Sequence, residues 1–229
     1  MKLGIIAAMQ IEAEQIIASM KDTVTEVCGS ITYTLGKIGN TDVVCAVCGI
    51  GKVFAAICTE AMILRFAPSL ILNSGVAGTL TEALSIGDIA IAKNLVQHDM
   101  DTSPLGDPVG LVSGINKIYF DADKAAVTAF AKATASVGAN SVIGTIASGD
   151  QFMSDTAKKN AIRDRFGAIA CEMEGAAIAH VAYVNNVPFA VLRAISDSAS
   201  GDAQMEYPKF VAMAAKRSHA IIDAFLKEW

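Results

Sequence analysis

The sequence predicts an α/β protein of three layers, in which a central mixed β-sheet is flanked by helices on both faces. Short apolar, β-branched segments alternate with helical patterns along the whole chain. The predicted strands are almost continuously apolar, which is typical of strands buried on both faces. A length of 229 residues fits a single domain spanning 1–229, because α/β folds often reach this size without splitting.

Apolar periodicity, together with turn and capping residues, assigns each element in chain order. The predicted strands are Lys2–Ala8, Ile31–Leu35, Asp42–Cys48, Leu70–Asn73, Ile89–Asn94, Val142–Ala147, Ala168–Met173 and Pro188–Ile195. The predicted helices are Ile11–Met20, Lys52–Arg65, Ala122–Val137, Glu174–Val184 and Tyr207–Leu226. Gly39 and Asn40 indicate a hairpin turn between two of the strands, and Asp121 is the expected N-cap of the alanine-rich helix. The segment His98–Asn116 matches neither pattern and is expected to be a loop that is either functional or disordered.

Composition excludes several classes of partner. Hydrophobic residues make up 53% of the chain and charged residues 18%, which predicts a large buried core. The net charge is −5, and no basic run is longer than Lys158-Lys159, so neither nucleic acid nor an anionic membrane is an expected partner. The apolar start Leu3–Met9 is too short for a signal peptide, and no apolar run is long enough for a membrane span.

The cysteines and histidines predict no metal and no cofactor. The five cysteines are odd in number and lie mostly in apolar runs, which favours reduced thiols in the cytoplasm. Cys45 and Cys48 form a C-x-x-C motif, but their apolar surroundings indicate small core residues rather than a metal or redox site. The three histidines do not cluster, and His180 falls inside an apolar helix, where a core role is expected.

Carboxylates and glycines gather where the predicted strands end. Ligands of open α/β sheets bind beyond the carboxyl ends of the strands. The sequences at these ends are Met9 to Glu12, Ser74–Gly78, Ser148–Phe152, Glu172–Glu174 and Arg193–Asp197. Each one alone fits a helix charge, a cap or a turn, but together they favour a functional site. Ser74–Gly78 is interpreted as a small-residue turn that lets the backbone approach a ligand.

Common nucleotide and hydrolase motifs are not met. Neither Gly49–Lys52 nor Ser74–Gly78 matches the P-loop or the dinucleotide-binding fingerprint. Gly49–Gly51 precedes a helix, so it is either an anion site or a plain turn. No G-x-S-x-G elbow is present, which argues against a serine hydrolase.

In order and spacing, these segments resemble one family over essentially the whole chain. They are Leu3–Met9 with Glu12, Gly49–Lys52, Ser74–Gly78, Ser148–Asp150, Glu172–Glu174 and Arg193–Asp197. The chain is similar to 5′-methylthioadenosine/S-adenosylhomocysteine nucleosidases, which belong to the purine nucleoside phosphorylase superfamily. The resemblance implies a nucleoside phosphorylase-like fold, an adenine nucleoside as substrate and a homodimer. It also implies hydrolysis of the bond between adenine and ribose in 5′-methylthioadenosine, S-adenosylhomocysteine and 5′-deoxyadenosine.

The resemblance also implies roles for the residues that would carry the reaction. Asp197 would be the general acid at adenine N7, oriented by Ser196, and Glu12 would activate the attacking water, with Arg193 near these groups. This pairing is chemically reasonable, because a departing purine needs a proton and water needs a base, as in inverting glycosidases. The residues implied in substrate binding are Met9, Ile50, Gly78, Phe152, Met153, Glu172, Met173, Glu174 and Tyr207. Among them, Glu174 would accept from the ribose hydroxyls and Phe152 would stack on adenine.

Two departures from the family pattern bear on specificity. Val76 stands where many relatives carry a hydroxyl residue near the catalytic water. The loop that begins at Asp99 lacks the family's aromatic residues after Thr102, and in the family this loop helps to form the 5′ pocket across a dimer interface. The 5′ substituent therefore stays open.

Three alternatives stand beside hydrolysis of methylthioadenosine. A phosphorylase of the same superfamily would need basic residues at a phosphate site, and Ala7–Gln15 contains none. A hydrolase of aminofutalosine differs in its bulky 5′ group. A nucleoside-binding protein without catalysis would not need both Glu12 and Asp197.

Overall fold

The computed structural model describes residues 1–197 and 203–229, although the side chains of 203–209 fall outside the description. The strands are β1 (Lys2–Ala7), β2 (Lys21–Cys28), β3 (Ile31–Ile38), β4 (Thr41–Val47), β5 (Leu70–Thr79), β6 (Ile89–Gln97), β7 (Tyr119–Asp121), β8 (Ser141–Ser148), β9 (Ala168–Glu172) and β10 (Phe189–Asp197). The helices are α1 (Gln10–Ser19), α2 (Lys52–Phe66), α3 (Lys124–Ser136), α4 (Thr156–Phe166), α5 (Gly175–Val184) and α6 (Ala203–Glu228).

The strands form one mixed sheet, part of which closes on itself. Its order is β10-β6-β8-β9-β5-β1-β4-β3-β2, with β7 paired to β6 and with β10 also paired to β5. The strands β5, β9, β8, β6 and β10 therefore make a ring, and β1, β4, β3 and β2 extend from it as an open wing. β2 is the outer strand of this wing, and it is exposed along nearly its whole length.

Helices cover both faces of the sheet, which confirms the predicted three layers. Side chains from α1, α3 and α6 share one buried cluster with β1, β5 and β10. Side chains from α2 and α5 share a second buried cluster on the other side of the sheet. The apolar residues of the strands supply both clusters, as expected for strands buried on two faces.

The structure corrects three details of the predicted elements. Ser74–Gly78 is not a turn, because β5 continues to Thr79 with β10 paired beside it and β9 paired at its end. The N-cap of α3 is Asp123, whose carboxylate accepts from the amide of Ala126, whereas Asp121 is the last residue of β7. Strands β2 and β7 and helix α4 were not predicted, and α6 begins four residues earlier than expected.

The segment before β7 is mostly irregular, and Cys45 and Cys48 are core residues, as the sequence predicts. The regular structure in residues 98–116 is limited to a short 3₁₀ turn at Ser103–Leu105 and an isolated β-bridge that joins Val112 to Lys117. All five cysteines are free, and Cys45 and Cys48 are buried. In the part of the chain that the structure describes, no helix is both long and apolar enough to cross a membrane.

Candidate active site

The ends of several strands meet around one pocket. Strands β5 and β9 pair in antiparallel orientation, at Gly78 with Cys171 and Thr79 with Ala170, so the residues that follow β9 run back beside Ala77 and Val76 of β5. The pocket has an empty volume of about 680 Å³, in the range of about 300–1,000 Å³ that is typical of small-molecule sites. It is lined by Ala8, Met9, Glu12, Ile50, Val76, Ala77, Gly78, Gln151, Phe152, Met153, Cys171, Glu172, Met173, Glu174, Ser196 and Asp197.

Glu12 enters this pocket from the first turn of α1. Its Oε2 atom accepts from the backbone amides of Ala8 (3.0 Å) and Met9 (2.9 Å), and its Oε1 atom accepts from the amide of Val76 (3.0 Å). Burial raises the pKa of Glu12, while the charge of Arg193 and the three amides oppose that rise. A buried carboxylate with a raised pKa is suited to accept a proton. Val76, which stands where many relatives carry a hydroxyl residue, thus binds Glu12 through its backbone amide.

Two glycines of β5 make room for the two central carboxylates. A Cβ atom at Gly75 would lie 2.7 Å from Oε1 of Glu12, and a Cβ atom at Gly78 would lie 2.7 Å from Oδ1 of Asp197. Gly75 and Gly78 are three residues apart, about 10 Å along an extended strand. One strand of small residues therefore passes both carboxylates closely, which any side chain at these positions would prevent.

Asp197 ends β10 and is 5% exposed. Its Oδ2 atom accepts from Nζ of Lys159 at 2.8 Å, and the two side chains are both almost fully buried. Its Oδ1 atom has no hydrogen-bond partner among the described residues. The sequence analysis did not predict a buried Lys159 beside Asp197, since α4 is so polar that its buried side could not be recognised.

Arg193 and Glu172 form a buried ion pair behind the pocket. The Arg193 guanidinium donates to Oε2 of Glu172 and to Oδ1 of Asn73, and it does not line the cavity. Glu172 also accepts from the hydroxyl of Ser148 and from the amides of Glu174 (3.0 Å) and Gly175 (2.7 Å). Both carboxylate oxygens of Glu172 are thus bound by the protein itself, which supports a positioning role for this pair.

Glu174 follows β9 and faces the start of α2. Its Oε1 atom accepts from the amide of Gly51 at 2.8 Å, and Asp150 accepts from the amide of Lys52 at 2.7 Å. The anion site considered for Gly49–Gly51 is therefore filled by the protein's own carboxylates. Burial, with a further contribution from the neighbouring Glu172, raises the pKa of Glu174 to about 7.

The structure brings most of the remaining predicted site residues to the same pocket. Phe152 is 54% exposed, so its ring lies where a planar base could stack on it. The Ser196 hydroxyl lies 3.5 Å from the carbonyl oxygen of Ala77. Met9, Ile50, Met153 and Met173 line the cavity. The side chain of Tyr207 lies outside the described residues.

His180 does not line the pocket. His180 stacks on Phe120 with 5.1 Å between the rings, and its Nδ1 atom is 3.2 Å from Gln97 Nε2. Within the described ranges, no three His, Cys, Asp or Glu side chains are grouped so that they could hold a metal ion. The pocket is instead lined by the carboxylates of Glu12, Glu172, Glu174 and Asp197, which suits proton transfer to and from a bound molecule.

Comparison with known proteins identifies the family. The model described as "Phosphorylase superfamily" matches residues 2–227. The 5′-methylthioadenosine/S-adenosylhomocysteine nucleosidase of Shewanella sediminis is 36% identical over 230 residues, which cover 100% of this chain and 100% of the relative. The chain belongs to the 5′-methylthioadenosine/S-adenosylhomocysteine nucleosidase family.

Solved structures of this nucleosidase family share its fold. An S-adenosylhomocysteine nucleosidase from Streptococcus pyogenes, solved with 5-methylthiotubericidin, has a TM-score of 0.95 and 36% identity, covering 100% of this chain and 97% of the other. A futalosine hydrolase mutant from Helicobacter pylori has a TM-score of 0.95 and 33% identity, covering 100% of this chain and 99% of the other. The resemblance inferred from the sequence is confirmed, and the fold is that of the nucleosidases and phosphorylases.

Proposed function

We propose that this protein hydrolyses the N-glycosidic bond of 5′-methylthioadenosine and S-adenosylhomocysteine, releasing adenine and the 5′-substituted ribose. The observation that carries the proposal is the placement of two buried carboxylates, Glu12 and Asp197, on one pocket beside the same strand. The names of the full-length relatives supply the substrate class.

The reaction needs a proton at the leaving base and a base for the nucleophile. Asp197 gives a proton to adenine N7 while the C1′–N9 bond breaks and its electron pair leaves with adenine. Glu12 takes a proton from water as the water oxygen bonds to C1′. Glu174 accepts hydrogen bonds from the ribose hydroxyls, and Phe152 stacks on the adenine ring. Arg193 binds Glu172 behind the pocket, and its charge also acts on Glu12 and Glu174, while Ser196 directly precedes Asp197 at the end of β10.

Charge in the pocket favours water over phosphate as the nucleophile. Glu12 faces the position of the nucleophile, and a carboxylate there repels an anion. The buried cations among the described residues are already paired, Arg193 with Glu172 and Lys159 with Asp197. A phosphate would have to compete with these carboxylates, so hydrolysis is the expected reaction rather than phosphorolysis.

The test is adenine release from methylthioadenosine, adenosylhomocysteine and aminofutalosine, each with and without phosphate. We expect release from the first two that does not depend on phosphate, with free 5′-substituted ribose as product. A ribose 1-phosphate signal in phosphorus NMR would identify a phosphorylase instead. Binding of the nucleosides without release of adenine would identify a binding protein.

Aminofutalosine is the second candidate substrate. The relative from Helicobacter pylori is named a futalosine hydrolase, and the loop after Asp99 places Leu105 in solvent, 84% exposed. The same loop carries no aromatic side chain from Ser103 to Ile118, which leaves space for a bulky 5′ group. A value of kcat/KM that is higher for aminofutalosine than for methylthioadenosine would make it the preferred substrate.

We propose further that two copies of the chain form a homodimer through α2 and work in the cytoplasm. Val53, Phe54 and Ile57 lie on α2 with 68%, 47% and 53% of their surface exposed, and Ile50 beside the pocket is 57% exposed. This apolar surface, which we call the α2 surface, is continuous with the pocket. Lys52 also binds Asp99 at 2.6 Å, so the loop that follows Asp99 starts next to it. A second copy related by a two-fold axis would cover both the α2 surface and the start of this loop.

A further inference from the structure

Lys159 is the buried charged residue that the proposed reaction does not yet use. It lies on α4, 2% exposed, whereas its neighbour Lys158 is exposed. Burying an ammonium group is costly unless it is paired and hydrogen-bonded. Its Nζ atom donates to Oδ2 of Asp197 at 2.8 Å, and Asp197 is the general acid in the proposed function.

Charges around the pocket divide into two groups. Four of its lining side chains are carboxylates, Glu12, Glu172, Glu174 and Asp197. Arg193 lies with Glu172, and its charge also acts on Glu12 and Glu174. Lys159 lies with Asp197. Arg193 therefore places its positive charge near the carboxylates that are proposed to act on ribose and water. Lys159 places its positive charge near Asp197, the carboxylate proposed to protonate adenine.

Lys159 is the charged group that contacts Asp197 among the described residues. Cys171 on β9 lies close enough for the charge of Asp197 to act on its thiol, Glu172 on β9 lines the same pocket, and β5 approaches Asp197 with the small residue Gly78. Burial raises the pKa of the Cys171 thiol to about 12, so this thiol is neutral in the working range. Glu172 is neutralised by Arg193.

We propose that Lys159 is a positioning residue for the general acid: it holds Asp197 through Oδ2, turns Oδ1 toward the purine, and sets the upper pH limit of the reaction. The inference rests on the proposed function. An ammonium group favours the ionised form of an adjacent carboxyl group. When Asp197 passes its proton to adenine N7, the carboxylate that results is stabilised by the ammonium group beside it. The same stabilisation means that fewer molecules carry the proton as the pH rises.

The test is the pH profile of adenine release in Lys159→Met, with Lys158→Met as the matched control. We expect Lys159→Met to keep turnover to a higher pH than wild type, with a lower maximal kcat and a similar KM. Lys158→Met and the charge-preserving Lys159→Arg should follow the wild-type profile. A Lys159→Met profile that falls at the wild-type pH, even with a lower kcat, would overturn the proposal. If the Met variant does not fold, Lys159→Gln takes its place with the same criterion.

A second measurement separates this inference from the proposed function. Absence of adenine release by the wild-type protein would reject the proposed function. Carbon-13 NMR of labelled aspartate then follows the Asp197 carboxyl carbon directly, since its signal is the one missing from Asp197→Asn. We expect this carbon to titrate at higher pH in Lys159→Met than in wild type. Titration at an unchanged pH would reject the role of Lys159 whatever the activity.

Discussion

At the residue scale, the pocket is organised by what each carboxylate is bonded to. Glu12 is held by backbone amides, Glu172 by Arg193, Glu174 by one amide, and Asp197 by Lys159. Similar side chains thus have different hydrogen-bond partners, and burial raises the pKa of Glu12 and of Glu174. The roles proposed for them follow from these surroundings rather than from the residue type.

Glu12→Gln should lose about 10² to 10⁴-fold in kcat and should still bind adenine nucleosides. The amide can hold a water molecule in the pocket, but it cannot take its proton. Adenine release measured beside binding of a substrate analogue checks this. Glu14→Gln, an exposed carboxylate of the same helix, is the control and should be fully active. Turnover in Glu12→Gln within ten-fold of wild type would contradict the assignment.

Glu174→Gln should raise thermal stability at pH 8 and leave it unchanged at pH 4. The folded-state pKa is raised from 4.5 to about 7, so the folded chain binds this proton more tightly than the unfolded chain. The resulting stabilisation is present below pH 4.5 and is lost as the pH rises through 7. Gln imitates the protonated form at every pH, so the difference in Tm between variant and wild type should grow from pH 4 to pH 8. A constant difference would show that Glu174 does not titrate in this range.

At the element scale, the predictions succeeded where burial leaves a periodic pattern. The apolar strands and most helices were found, and so were the strand ends that carry Glu12 and Asp197. The exposed strand β2 was missed because it has no buried face to produce alternation. Helix α4 was missed because its residues are mostly polar. The end of β5 was taken for a turn because glycine is uncommon inside strands, and only the tertiary contacts with the carboxylates explain its presence there.

Gly78→Ala should reduce kcat about 100-fold by displacing Asp197, since a shift of about 1 Å at a reacting group has an effect of this size. The added Cβ atom would lie 2.7 Å from Oδ1 of Asp197. Gly144→Ala is the control, because its Cβ atom would meet only side-chain atoms of Ile169. It should lower Tm and leave kcat near wild type. Equal kcat in both variants would show that close packing against Asp197 is not required for turnover.

At the scale of the whole molecule, the strand ring forms the pocket, and the α2 surface is the region proposed to contact a second copy. The ring formed by β5, β9, β8, β6 and β10 brings the strand ends together and fixes the pocket. The α2 surface lies outside the ring and next to the pocket opening. A partner at that surface could therefore complete the 5′ side of the site without altering the carboxylates.

Light scattering should give a mass near twice the 23.8 kDa of one chain. Ile57→Asp should shift the protein toward monomer, because an unpaired charge in an apolar interface is costly, and it should raise the KM for methylthioadenosine. Val137→Asp is the control and should remain dimeric, since Val137 is exposed and follows α3, which packs on the face of the sheet opposite to α2. A fully active wild-type monomer at assay concentration would exclude the dimer.

The outer strand of the open wing has a consequence for solubility. An unpaired strand edge is a template on which strands of other molecules can assemble into aggregates. β2 exposes Val24 and Val27, yet Lys21, Asp22 and Glu26 place charges of both signs along the same strand. Its pairing with β3 is also irregular between Lys21 and Val24, where Asp22 has a φ of 54°. Charge and irregular backbone together hinder edge-to-edge stacking, so this side of the molecule resists aggregation and leaves specific association to α2.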